Sequence, residues 1–220
     1  MKYKDDEKEV DTLIEKNIIS IKVEYNFSIR NYLKINLNKD VNKKLAIILM
    51  NPSKATDKES DQTVSEVLEF AKKEYKEVII FNVLPFYGTD SDDLSPLFKE
   101  DSKKEIVEVL LKSNINKIGE KLSEDTDKNT EIFLATGCPK DGEVKKVFLI
   151  QLQKIYGLLK KYPCVNAFNI EKSFLNNEGT TYHPRYLKIK DAFNQKNIVE
   201  VVVKDKDGTF SLTEKENAPK

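Results

Sequence analysis

Residues 45–63 read LAIILMNPSKATDKESDQT. Leu45–Met50 is an apolar run without alternation, the pattern of a strand covered on both faces, as in a parallel sheet. The chain leaves that run through Asn51-Pro52-Ser53 and stays polar until Thr63-Val64-Ser65-Glu66, which has the form of a capping box opening a helix. Val64, Val67, Leu68, Ala71 and Tyr75 then fall on one helical face. A buried strand, a long polar loop and an amphipathic helix make up the first part of a strand–helix–strand unit, and the loop lies where such units hold ligands. The loop has too few glycines for a phosphate loop and lacks its lysine.

The same pattern repeats outward. EVIIFNVLPF (77–86) is a second buried strand broken at Pro85, EIFLATG (131–137) a third closed by Gly137, and CVNAFNI (164–170) a fourth. Val107, Leu110, Leu111, Ile118 and Leu122 mark one helix between them, and Val144, Val147, Phe148, Ile155, Leu158 and Leu159 another. Upstream, IISIKVEY (18–25) and YLKINLN (32–38) alternate apolar and polar residues, which predicts a hairpin with one wet face. A short helix near 185–194 and the strand NIVEVVV (197–203) finish the chain, leaving 1–12 and 213–220 as tails of a single domain spanning 1–220. The expected fold is α/β, three-layered, with a mainly parallel central sheet and flanking helices.

Composition narrows the function. The 220 residues carry 37 Lys and Arg against 37 Asp and Glu, for a net charge of +0 and a sequence pI near 6.7. Within that balance, 57–108 hold seven Lys against fourteen acidic residues, and 143–190 hold nine basic residues against three Glu. Only Arg30 and Arg185 are arginines, the residue type best suited to bidentate contacts with phosphate or guanine, so the chain does not read as a duplex DNA reader. The opening residues MKYKDDEKEVD are too polar for a signal peptide and no apolar run is long enough for a membrane span, which implies a cytoplasmic protein with no membrane partner. Cys138 and Cys164 cannot form a metal cluster by themselves, and His183 is the only histidine, so no metal and no cofactor is implied. The abundance of Lys, Asn and Ile fits an AT-rich bacterial or phage genome.

The polar breaks after the four strands occur in a recognisable order: LMNPSKATDKESDQT, FNVLPFYGTDSDDL, ATG and GTTYHPRYL. This series resembles the bacterial and phage family catalogued as DUF1643, over roughly 28–190. The family pattern is a Leu-Asn-Pro-Ser loop, an Asp-x-Thr before the helix, an Asn closing the second strand and a late His-Pro. The chain departs from it at Gly88, where Arg is usual, at Thr136, where Trp is usual, and at Thr181, where Pro is common. More distantly, Asn51-Pro52, Phe81-Asn82 and His183-Pro184 follow the motif order of the uracil-DNA glycosylase superfamily. There an Asn ending the second strand reads a base edge and a late His-Pro loop approaches the glycosidic bond.

The resemblance implies a ligand site formed by Asn51, Pro52, Ser53, Asn82, Phe86, Tyr87, Gly137, His183 and Arg185. A side-chain amide offers a donor and an acceptor together, as a base edge requires, and Phe86 or Tyr87 would supply a stacking ring. Asn51 is not a base, so hydrolysis would need another group, with Asp61, Asp90 and His183 the candidates. Each residue also has a structural reading: Asn51 in a strand exit, Asp61 and Thr63 as helix caps, Asn82 as a satisfied buried amide, His183 as a turn residue. Two functions remain open. One is capture of a nucleobase or nucleotide-like small molecule, sequestering a nucleotide signal; the other is an enzyme acting on an N-glycosidic bond or base in a nucleotide or exposed strand.

Overall fold

The computed structural model describes residues 15–21, 27–37, 40–52, 62–72, 74–88, 91–125, 127–140, 142–170, 172–184 and 197–216. Its strands are β1 (Glu15–Ile21), β2 (Phe27–Asn36), β3 (Lys44–Leu49), β4 (Glu77–Asn82), β5 (Thr130–Leu134), β6 (Val165–Phe168), β7 (Ile198–Lys206) and β8 (Thr209–Glu214). The helices are α1 (Gln62–Ala71), α2 (Ser95–Lys99), α3 (Lys104–Asp125) and α4 (Gly142–Leu159). The expected helix near 185–194 and the 1–12 tail lie outside the described residues.

All eight strands join one sheet in the order β1-β2-β4-β3-β5-β6-β7-β8. β4, β3, β5 and β6 run parallel, with Leu45 opposite Val78 on one side and Glu131 on the other. The pairs β1–β2, β2–β4, β6–β7 and β7–β8 are antiparallel. The sheet is therefore mixed, which corrects the expectation of a mainly parallel one. Parallel neighbours need long crossovers, here supplied by the helices, whereas strands joined by tight turns must reverse direction. The outermost pair at each end, β1–β2 and β7–β8, is joined by a short connection of this kind, while β2 and β7 run against the central strands after longer connections; the apolar runs that suggested a parallel fold come from the centre.

Burial explains why the centre is so apolar. Leu45–Leu49 are all buried, as are Val78–Asn82 and Ile132–Leu134. Helices cover both faces, giving three layers. On one face Leu97 of α2, Leu110, Leu111 and Ile118 of α3, and Phe148 and Ile155 of α4 pack on Ile48, Ile79, Phe81 and Leu134. On the other, Val64, Val67, Leu68 and Ala71 of α1 pack on Leu45, Ile47, Leu49, Val78 and Ile80. Alternate residues of β3 thus serve opposite cores, and each such side chain contributes about 1.5–3 kcal/mol by leaving water.

Two local readings need adjusting. α1 begins at Gln62, so Thr63 is a buried residue of its first turn and not its cap. β7 continues to Lys206, turns at Asp207-Gly208 (φ 53° and 82°) and returns as β8, which takes in Thr213 and Glu214 of the expected tail. Asp-Gly suits a two-residue turn because both central residues need positive φ. Gln153 of α4 then bonds the main chain of this edge strand twice, Nε2 to the Phe210 carbonyl at 2.9 Å and Oε1 from the Phe210 N–H at 2.8 Å. Those bonds occupy edge groups that would otherwise be open to another strand.

Candidate functional site

The site is built from the carboxyl ends of β3, β4 and β5. β3 leads by α1 to β4 on one side, while β5 pairs with β3 on the other, so the winding of the sheet reverses between β3 and β5. Open α/β sheets bind ligands at the carboxyl-end crevice of such a reversal. Pairing here runs beyond the strands: Val83 N–H bonds the Leu49 carbonyl, Leu84 N–H the Met50 carbonyl and Ala135 N–H the Ile48 carbonyl, each at 2.9 Å. The exits of the three strands are therefore held side by side.

Asn51 joins the first two exits. Its Nδ2 donates to the carbonyl of Gly88 at 2.8 Å and to that of Pro52 at 3.1 Å, while the Gly88 N–H donates to the Pro52 carbonyl at 3.0 Å. The bond to Gly88 crosses between loops, so Asn51 ties them together, and its oxygen is the group left for any further partner. Gly88 contributes main-chain bonds here, its carbonyl accepting and its N–H donating.

The third exit carries the His-Pro segment. Gly137 has φ +64°, and its N–H donates to the Thr181 carbonyl at 2.8 Å. Thr180 Oγ1 donates to the Gly137 carbonyl at 2.8 Å, and Thr136 N–H donates to Thr181 Oγ1 at 3.1 Å. The hydroxyls of Thr136 and Thr181 are 3.2 Å apart. This latch sets His183 against Gly137 so closely that a Cβ on the glycine would lie 2.8 Å from the His183 Cβ and 3.3 Å from Met50 Cε. Met50 directly precedes Asn51, so a short chain of contacts links the Asn-Pro exit to the histidine.

Asn82 closes β4 and is fully buried. Its Oδ1 accepts from Arg30 Nη2 at 3.2 Å, its main-chain carbonyl accepts from Asn114 Nδ2 at 2.9 Å, and its own Nδ2 is buried with no partner. Arg30 is 1% exposed, its N–H bonds the Pro85 carbonyl at 2.8 Å, and its guanidinium carbon lies 5.7 Å from the centre of the Tyr87 ring. Phe86 is fully buried, with its ring edge-on to Phe98 at 5.7 Å, so it is a core residue with no open face. Tyr87 is half-buried.

The structure thus brings together Asn51, Pro52 and Tyr87-Gly88, and separately Met50, Gly137 and His183, with Asn82 behind the first group. Ser53, Asp61, Asp90 and Arg185 lie outside the described residues. Arg30, Asn114, Thr180 and Thr181 are additions that sequence reasoning did not rank as site residues. One of them left a trace in the sequence: Asn114 lies on the apolar stripe between Leu111 and Ile118 of α3, whereas Arg30 sits in a strand of mixed polarity, FSIRNYLKIN, that does not single it out. A polar residue at a core position needs partners, and both find them at Asn82.

A cavity of about 370 Å³ lies at the opposite, amino-terminal end of β5 and β6, lined by Asp127, Glu131, Cys164, Asn166 and Glu200 among others. Its carboxylates are held by lysines, Asp127 by Lys44 at 3.1 Å, Glu131 by Lys43 and Glu200 by Lys215, both at 2.6 Å. Burial and the nearby Glu200 carboxylate push the Cys164 thiol above its ordinary pKa, which makes it a poor nucleophile. Neither cysteine forms a disulfide. Among the described residues no group of three or more His, Cys, Asp or Glu could hold a metal ion, and no helix is long and apolar enough to cross a membrane.

A family model described as DUF1643, a protein of unknown function, matches residues 30–185. The chain belongs to the DUF1643 family. The DUF1643 match begins at Arg30 and encloses all four parallel strands and the three exits, while β1, β7 and β8 fall outside it. No match to a curated protein accompanies it.

Proposed function

We propose that this DUF1643 protein binds a nucleobase or nucleotide-like small molecule at the carboxyl rim, in a glycosylase-like site, and sequesters it. The observation that carries this reading is Asn82: a fully buried carboxamide at the end of a core strand, with Nδ2 lacking a partner. An unmet buried donor costs about 1–3 kcal/mol, a cost that a ligand acceptor would remove. The motif order supports the same reading, since Asn51-Pro52, Asn82 and His183-Pro184 follow the order of the uracil-DNA glycosylase superfamily. In this account Asn82 bonds the base edge, Tyr87 stacks on the ring, and His183 faces the sugar or phosphate. Asn82 and Pro52 are buried, so capture requires this part of the rim to become accessible to the ligand. Duplex DNA is not the ligand, because the chain is neutral and has two arginines.

The second reading, an N-glycosidic hydrolase, draws on His183, the one histidine, which the Gly137 contact holds at the rim. A thermal-shift panel of nucleotides, cyclic nucleotides, ADP-ribose derivatives and oligonucleotides, with product analysis of every hit, separates the two. Ligand recovered intact supports capture, and a released base supports hydrolysis. Asn82→Ala is expected to weaken binding of a hit by roughly ten- to hundredfold while the protein stays folded. Unfolding of that variant with no hit in the panel would leave Asn82 a structural residue and end both readings.

A further inference from the structure

Arg30 places a guanidinium in the interior, beside the amide on which recognition is proposed to turn. Guanidinium carries donors only and stays charged in proteins. A carboxamide is ordinarily ambiguous, because turning it over exchanges its oxygen and its NH2. At Asn82 that ambiguity is removed. With Oδ1 on Arg30 Nη2 at 3.2 Å, the reversed rotamer would set NH2 against a cationic donor. Arg30 is itself held: its main-chain N–H donates to the Pro85 carbonyl, its side chain is buried, and its guanidinium carbon lies 5.7 Å from the centre of the Tyr87 ring. Asn82 is thereby left with one unused group, the Nδ2 donor, buried and without a partner.

We propose that Arg30 is a specificity-determining positioning residue. By fixing the Asn82 amide it makes the rim read only an acceptor at that point, the exocyclic keto oxygen of a base, and reject an amino group in the same place. A free asparagine would accommodate either by turning over; this one cannot. The inference rests on the nucleobase reading above and narrows it: keto bases are taken and the matching amino bases refused.

The test uses two pairs of nucleotides that exchange a keto for an amino group, UMP against CMP and IMP against AMP, titrated calorimetrically into the full chain. Wild type is expected to favour the keto member of a pair by at least about tenfold, the effect of one hydrogen bond made against one donor opposed. Arg30→Met, of similar length but without donors, frees the amide to turn, so the preference collapses and the amino member gains affinity. Arg30→Lys keeps a donor on Oδ1 and retains the preference. If Arg30 only supports the fold, Arg30→Met weakens all four nucleotides alike and leaves the ratio intact, which overturns the inference. Should Arg30→Met fail to fold, the wild-type ratio decides, and a ratio near one or in favour of the amino member overturns it. Failure of all four to bind wild type overturns this inference, and the nucleobase reading then stands or falls on the wider panel.

Discussion

Gly137→Ala should be far more damaging than an ordinary glycine replacement. Two costs add. At φ +64° an L side chain meets its own carbonyl, roughly 1–2 kcal/mol. The new methyl would also lie 2.8 Å from the His183 Cβ, nearer than carbon atoms approach, and 3.3 Å from Met50 Cε. Met50 can turn its thioether aside, but a Cβ is fixed to the main chain, so the 180–184 segment must shift and strain its bonds to Gly137 and Thr136. Overpacking of this kind adds about 1–3 kcal/mol. Gly179→Ala is the control: φ is +73° and nothing lies within 4 Å of the added methyl, so only the backbone cost applies. Urea unfolding should therefore separate the two variants by about 1–3 kcal/mol. His183 is the only histidine, so its imidazole gives a single set of ring resonances, which should move in Gly137→Ala and stay in place in Gly179→Ala. Equal stabilities together with an unmoved histidine would refute the close contact and the latch built on it.

Thr181→Val removes the acceptor of the buried Thr136 N–H and should cost about 1–3 kcal/mol in urea unfolding, with Thr181→Ser restoring most of it. A valine variant as stable as wild type would show that the hydroxyl pair does not hold the latch. Acid should destabilise the protein through carboxylates whose pKa is depressed. Asp127 is lowered by the Asn129 N–H and Lys44, Glu200 by Lys215, and Asp205 by Lys160. A depressed carboxylate stabilises the fold above its unfolded pKa and ceases to as pH falls through its folded value, so Tm should hold from neutrality and drop below about pH 4. Asp127→Asn should make that drop shallower, and a curve superimposable on wild type would count against the Lys44 pairing. Any binding to duplex DNA should be weak and vanish by roughly 0.2 M salt, which a gel-shift salt series checks; salt-resistant binding would reverse the choice of ligand class.

The strands and helices of the centre were legible because their burial is written as apolar runs. Leu45–Met50 needs apolar side chains on both faces, and nothing but a doubly covered strand asks for that. The edges were harder. β8 holds only Phe210 and Leu212 as apolar residues, so a reading by hydrophobicity passes over it, although Asp207-Gly208 marks the turn. α2 is a five-residue helix with Pro96 in its first turn, too short to show a period. At the site, the order of Asn51, Asn82 and His183 was visible, while their partners were not. That Asn51 bonds Gly88, or that Arg30 fixes Asn82, depends on which strands become neighbours. Phe86 and Tyr87 illustrate the limit: adjacent aromatic residues face opposite environments, and only the pairing of Ile29 with Phe86 decides which of them is covered.

The strand order also bears on how the chain folds as it leaves the ribosome. β3 lies in the middle of the sheet, and its two neighbours are made at very different times. Its partner β4 follows after one helix, but the other, β5, pairs Lys44 with Thr130 and emerges only after α3 is complete. Until then the most apolar strand of the protein exposes an open main-chain edge, the kind of surface that templates aggregation. Translation that pauses or stops before Thr130 would strand the chain in that state, which makes the segment carrying α3 a window of dependence on chaperones.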